Sequence, residues 1–125
     1  MACSQIKFAW ALATHVMKIV FFGTSEFGAI ILERMVKSDL KPVLVVTAPD
    51  MPAGRKQLLT PPPVKVAAQK LGLKVLQPEK LIASDFKFPI EPPDIFVVAA
   101  YSKIIPDEKL KIPKLGTVGI HPSLL

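Results

Sequence analysis

The sequence predicts an α/β fold, a doubly wound parallel sheet, on three observations. Continuous runs of β-branched and aromatic residues stand at 18–23, 42–48 and 94–100. Runs of that kind mark strands buried on both faces, which a parallel sheet covered by helices requires. Stretches of helical period separate them, the alternation that builds such sheets. The 13 prolines fall between the apolar runs, where they punctuate elements without breaking them.

Residues 18–23 are the first strand. Thr24 or Ser25 then caps a helix, with Glu26 in the first turn where the helix dipole favours an anion. Phe27, Ile30, Ile31 and Met35 recur at helical spacing and are the expected buried face. A second buried strand covers 42–48, joined to the first by a right-handed crossover. Residues 49–63 read as a long irregular segment, and loops of that length are usually functional or disordered. Arg55 and Lys56 follow a glycine there, which suits contact with phosphate oxygens or equally a solvated basic loop.

Pro63 at a first helical position, Val64, Ala67, Ala68 and Leu71 on one face, and Gly72 just past the end delimit a second helix. A short third strand follows at 74–76. The stretch 78–93 starts helically, but Pro89, Pro92 and Pro93 forbid a long helix. Residues 94–100 are the fourth strand, 101–106 a loop at its end, and 107–111 a helical turn. Residues 117–120 form a last strand, and His121 follows it directly. The switch point falls between the first and fourth strands, and ligands of such sheets bind beyond the carboxyl ends of the strands there. A histidine beside that point suits proton transfer near neutral pH, and it suits an ordinary hydrogen-bonded role as well.

Composition removes several classes of function. One cysteine, Cys3, rules out an internal disulfide framework and a cysteine zinc site, and fits a reducing compartment. Two histidines without ligand spacing give no metal centre. Glycines at 23 and 28 do not make the dinucleotide-binding pattern, and Ala29 and Ile30 stand where a phosphate-binding P-loop would need Lys and Ser or Thr. The formal net charge of +6 suits an acidic partner, though the charges are scattered as on any solvated surface. Residues 1–16 read as an extension upstream of a start at Met17, frayed or loosely packed, because their apolar run is too short for a membrane span and lacks signal-peptide flanks.

Taken together, Met17-Lys-Ile-Val-Phe-Phe-Gly-Thr-Ser-Glu-Phe27, Pro52-Ala-Gly-Arg55, Thr60-Pro-Pro-Pro-Val-Lys65, Leu76-Gln-Pro-Glu-Lys-Leu81, Val98-Ala-Ala-Tyr101 and His121-Pro-Ser-Leu-Leu125 resemble the methionyl-tRNA formyltransferase family. The resemblance implies a Rossmann-like formyltransferase fold and transfer of a formyl group from 10-formyltetrahydrofolate to the amino group of methionyl initiator tRNA. It implies that His121 is catalytic, that Ser123, Leu124 and Leu125 line the folate site, and that Tyr101, Ser102, Lys103, Ile104 and Ile105 form another of its walls. The long loop matches the family insertion that meets the tRNA acceptor arm, with Arg55 and Lys56 at its tip. The expected setting is cytoplasmic, with no metal and no membrane, and a monomer when complete. Enzymes that formylate glycinamide ribonucleotide or amino sugars share the His-x-Ser-Leu-Leu pattern, but the Pro-Ala-Gly-Arg loop favours the tRNA enzyme. A formyltransferase acting on a sugar nucleotide is the alternative enzyme, and a non-catalytic degenerate fragment that binds folate or RNA is the rival from another class.

Two departures stand out. The family Asn two residues before the histidine is Gly119 here. The sequence ends at Leu125, before the family's Pro-x-Tyr-Arg-Gly continuation and catalytic Asp, so 17–125 reads as a partial catalytic domain truncated after about five strands. A strand ending at Ile120 with a missing neighbour would leave a hydrophobic edge, so the isolated chain is expected to be poorly soluble or partly unfolded.

Overall fold

The computed structural model describes residues 17–79 and 93–120. The readings of 1–16, of the proline-rich stretch 80–92 and of 121–125 lie outside these residues. The elements are β1 (Ile19–Gly23), α1 (Glu26–Lys37), β2 (Leu44–Val46), β3 (Met51–Ala53), β4 (Leu58–Thr60), α2 (Pro63–Lys70), β5 (Val75–Leu76), β6 (Ile95–Ala99), α3 (Asp107–Leu110) and β7 (Thr117–Ile120).

Five strands form one parallel sheet in the order β5-β2-β1-β6-β7, as expected of a doubly wound fold. β1 lies at its centre because every residue of it is apolar or glycine, and all five are buried. Side chains alternate across a strand, so Ile19 and Phe21 point to one face with Val45, Val97 and Ala99, where Leu32 of α1 and Val64, Ala67 and Ala68 of α2 cover them. Val20 and Phe22 point to the other face with Leu44, Val46 and Phe96, against Tyr101, Ile105 and Ile112. The chain therefore changes sides between β5 and β6, which right-handed crossovers demand once β6 pairs on the far side of β1. At the amino end of the sheet, Lys18 N–H donates to Asp94 Oδ2 at 2.7 Å and Asp94 N–H to the Lys18 carbonyl at 2.8 Å. Among the described residues no helix is long and apolar enough to cross a membrane.

Three local readings need correction. Ile30 is 48% exposed, whereas Gly28, Ala29 and Leu32 are the buried residues of α1 and Phe27, Ile31 and Met35 flank them. At about 100° per residue, Ile30 lies roughly 200° around from Gly28, on the far side of the helix. Ser25 occupies the N-cap position, yet no side chain caps α1. The segment 49–63 is not irregular: β3 and β4 pair antiparallel, with Met51 opposite Thr60, Pro52 opposite Leu59 and Ala53 opposite Leu58. Gly54 and Gln57 both take positive φ, 74° and 51°, and close the turn as Gln57 N–H and Nε2 donate to the Gly54 carbonyl. All six strand residues of this hairpin are exposed, so no buried face impressed an alternating pattern on its sequence.

Candidate functional site

The carboxyl ends of β1, β2 and β6 meet at the switch point, and the turns that leave them are bonded together. Ala100, in the left-handed region at φ 56°, turns its carbonyl to accept Thr24 N–H at 3.0 Å and Ser25 N–H at 3.4 Å. Ser102 returns the contact, its N–H and Oγ donating to Thr24 Oγ1 at 3.1 and 3.2 Å. Thr24 thus spends its hydroxyl across the switch point instead of on a helix cap. The Thr24 carbonyl accepts Val64 N–H at 3.4 Å, which brings the start of α2 to the same place.

Glycine is needed on both sides of this turn. A Cβ on Gly23 would stand 2.8 Å from the Ala99 carbonyl oxygen, and one on Gly28 would stand 2.6 Å from that same oxygen and 3.0 Å from Val64 Cγ2. Real Cβ atoms essentially never approach so closely, so α1 lies nearer to β6 than any other residue would permit.

A cleft of about 240 Å³ opens between these turns, lined by Thr24, Ser25, Ala48, Pro49, Met51, Thr60, Pro62, Pro63, Ser102 and Lys103. Its lining is mostly apolar, with the hydroxyls of Thr24, Ser25, Thr60 and Ser102 among its residues. Met51 and Thr60 face each other across the root of the hairpin and form one wall. That root is tied down by Asp50. Lys65 Nζ donates to both Asp50 oxygens at 3.1 and 3.3 Å, and Gln77 Nε2 donates to Asp50 Oδ1 at 2.7 Å and to the Ala48 carbonyl at 3.1 Å. The hydrogen bonds from Gln77 and then Lys65, outweighing desolvation, hold the Asp50 carboxyl below its ordinary 3.8. Sequence reasoning missed this trio because its members are far apart in the chain; Gln77 and Lys65 stand 27 and 15 residues from Asp50.

The expected site residues divide among three settings. Tyr101 and Ile105 pack on the sheet face of Phe22 and Phe96, the Tyr101 ring edge-on to Phe22 with centroids 5.6 Å apart. The Tyr101 hydroxyl is buried without a hydrogen-bond partner among the described residues, and burial pushes its pKa up to about 12. Ser102 and Lys103 line the cleft instead, and Ile104 is 82% exposed. Arg55 and Lys56 are exposed in the turn between β3 and β4. Gly119 of β7 lies opposite Val98, and a Cβ there would meet nothing within 4 Å among the described residues. His121, Ser123, Leu124 and Leu125 lie outside the described residues; Ile120, the last described residue, is level with Ala99. Among the described residues no group of three or more His, Cys, Asp or Glu side chains could hold a metal ion.

The profile of the formyl transferase family matches residues 17–125. Methionyl-tRNA formyltransferase of Caldicellulosiruptor saccharolyticus is 48% identical over 113 residues, which cover 87% of this chain and 36% of that protein. Methionyl-tRNA formyltransferases of Bacillus cereus and Halalkalibacterium halodurans are each 46% identical, over 87% of this chain and 35% of their own length. The chain thus spans about a third of the length of these curated relatives.

Proposed function

The chain belongs to the formyl transferase family, and from that premise we propose that it is the amino-terminal part of an enzyme that formylates the amino group of methionyl initiator tRNA from 10-formyltetrahydrofolate in the cytoplasm. The observation that carries the reading is the cleft at the switch point, one wall of which is the root of the hairpin that carries Arg55 and Lys56, in a chain 46–48% identical to methionyl-tRNA formyltransferases. An apolar pocket at the strand ends, a cation on a projecting turn and a histidine after β7 are the parts the reaction needs.

The residues fit a folate donor in one respect beyond sequence. Tyr101 keeps a buried, unpartnered hydroxyl on the loop expected to wall the donor site, and a group of that kind is satisfied when a polar ligand atom reaches it. Tyr101, Ile105, Ser123, Leu124 and Leu125 would hold the donor, with Ser102, Lys103 and Ile104 completing that wall. The donor, when bound, supplies the activated formyl carbon. For the chain's own part, the acceptor amine must arrive neutral and lose a proton as its nitrogen bonds to that carbon, and His121 takes that proton and returns it to the donor's nitrogen as the bond between that nitrogen and the formyl carbon breaks, releasing tetrahydrofolate. Charge that grows on the formyl oxygen needs a donor, and Gly119 offers only backbone groups where the family has Asn.

The test is turnover by the full-length enzyme. His121→Ala is expected to abolish formyl transfer with folate binding kept. A Cβ at Gly119 would meet nothing within 4 Å among the described residues, and Gly119→Asn is expected to raise kcat more than it changes KM, as restoring an interaction made in the transition state should. Near-normal kcat in His121→Ala overturns the catalytic role.

A further inference from the structure

We propose that Asp50, Lys65 and Gln77 are positioning residues that aim the hairpin: together they fix the direction in which Arg55 and Lys56 are presented, without touching the substrate themselves. The proposal rests on the reading of the chain as a formyltransferase of an aminoacyl-tRNA.

The hairpin needs such a device. β3 and β4 form a sheet of their own, and all six of their residues are exposed, so no buried face of the ribbon holds it against the body. Its direction is therefore set at the root. Proline fixes φ and leaves ψ free, so Pro49 on the outgoing leg and Pro61 on the returning one narrow the swing without setting it. The arm is long enough for a small swing to matter. Asp50 to Gly54 spans roughly 13 Å of extended chain, so turning the root by about 15° moves the tip by roughly 3 Å, a whole hydrogen-bond length.

The trio joins the root to two elements that are themselves fixed. Lys65 stands in the first turn of α2, whose Val64, Ala67 and Ala68 pack on the sheet. Gln77 directly follows β5, which pairs with β2, Thr47 N–H donating to the Leu76 carbonyl at 3.0 Å. Both converge on Asp50, with Lys65 Nζ at 3.1 and 3.3 Å from its two oxygens and Gln77 Nε2 at 2.7 Å from Oδ1. The Gln77 amide spends its second N–H on the same leg, at the Ala48 carbonyl 3.1 Å away. One anion thus ties the outgoing leg to α2 and to the end of β5. The same contacts separate Lys65 from the cations at the tip: its ammonium is engaged by Asp50 and its side chain is 20% exposed, whereas Arg55 and Lys56 are exposed in the turn.

Two experiments on the full-length enzyme test this. The first reads the aim directly. Lys56→Cys and Glu33→Cys, in a protein whose native cysteines are replaced by serine, carry nitroxide labels, and double electron–electron resonance gives the distance between them. One narrow distance is expected, broadened or shifted by roughly 3 Å or more in Asp50→Ala and in Gln77→Ala. A broad distribution without these substitutions, or an unchanged one with both, overturns the proposal. Both positions are partly exposed; if one variant does not fold, the other decides. The second experiment, on unlabelled protein, separates aiming from mere support. Asp50→Ala is expected to raise KM for methionyl-tRNA about tenfold, the size of one charge-assisted contact, with kcat and folate affinity unchanged. Lys65→Met should act in the same way, and Lys65→Arg, which keeps donors for the carboxylate, should retain near-normal KM. In an Arg55→Ala background, Asp50→Ala should cost no more than about twofold further, because residues on one path are not additive. Full additivity with Arg55→Ala, a fall in kcat instead of a rise in KM, or a loss in Lys65→Met without one in Asp50→Ala overturns the proposal, the last by making Lys65 a phosphate contact. A wild-type enzyme that formylates no tRNA sinks the functional reading instead, and the distance measurement alone then decides whether the trio aims the hairpin.

Discussion

Gly28→Ala isolates the close approach of α1 to the sheet. Inside a helix this replacement ordinarily stabilises, by about 1 kcal/mol. Here the new methyl would stand 2.6 Å from the Ala99 carbonyl oxygen and 3.0 Å from Val64 Cγ2. The oxygen cannot yield, because Ala99 is fixed between β1 and β7 by its pairing with Gly23 and Ile120. Reaching ordinary separation at 3.4 Å requires α1 to retreat by roughly 0.8 Å. Inserting one methylene into a packed core costs about 1–3 kcal/mol, and two clashes, one of them with immobile backbone, place this case near 3. Subtracting the propensity gain leaves a net loss of about 2 kcal/mol. With a urea m-value of about 2 kcal/mol/M, the midpoint should fall by about 1 M. Urea unfolding of the full-length protein followed by far-UV circular dichroism measures it. A midpoint unchanged or raised would refute the reasoning, since it would mean that the helix and strand do not touch at this point.

Three other outcomes are expected. The Asp50 carboxyl should titrate below 3.8 when followed by carbon NMR; because its folded pKa is depressed, its contribution to stability is complete at neutral pH and disappears only as pH falls through the folded value, and a midpoint at or above 3.8 would contradict the network. The Tyr101 phenol should not ionise near 10 but at about 12; the 295 nm difference between wild type and Tyr101→Phe, recorded against pH, reads this directly, and an early rise would show that the hydroxyl is not buried. Arg55→Ala should weaken tRNA binding and reduce the salt slope by about 0.9 for each phosphate that the arginine no longer neutralises, with folate affinity unchanged; an equal fall in folate binding would make the hairpin a support of the fold.

What could be read in advance was whatever a buried element writes into its own sequence. β1, β2 and β6 are covered on both faces, so their residues had to be apolar throughout, and Pro63 and Gly72 announced the ends of α2 because backbone geometry alone restricts those positions. The hairpin left no such trace. Its strand residues face solvent, and Pro52, within β3, argued against a strand that in a two-stranded ribbon can spare the hydrogen bond. The error at Ile30 has the same origin: an apolar residue fits a helical stripe by type alone, and the glycine that really marks the packed face carries no hydrophobic signal. The candidate site was legible as a place, the switch point, and not as chemistry. The bonds of Thr24 to Ser102 and of Asp50 to Lys65 and Gln77 join residues that no local spacing relates.

The strand order β5-β2-β1-β6-β7 also sets a timetable for biosynthesis. β1 is the second strand-forming surface for a segment that leaves the ribosome much later, since Lys18 and its partner Asp94 are 76 residues apart. At roughly 5–20 residues per second, translation delivers the missing neighbour about 4–15 s after β1. Throughout that interval one edge of β1, the sequence Ile19-Val-Phe-Phe-Gly23, lacks its strand, and the sheet face of Val20 and Phe22 lacks Tyr101, Ile105 and Ile112. The nascent half-sheet is then a ribosome-bound species with an adhesive edge, so a chaperone or slow crowding at the exit tunnel has its greatest effect on yield within this window, before Ile95–Ala99 is made.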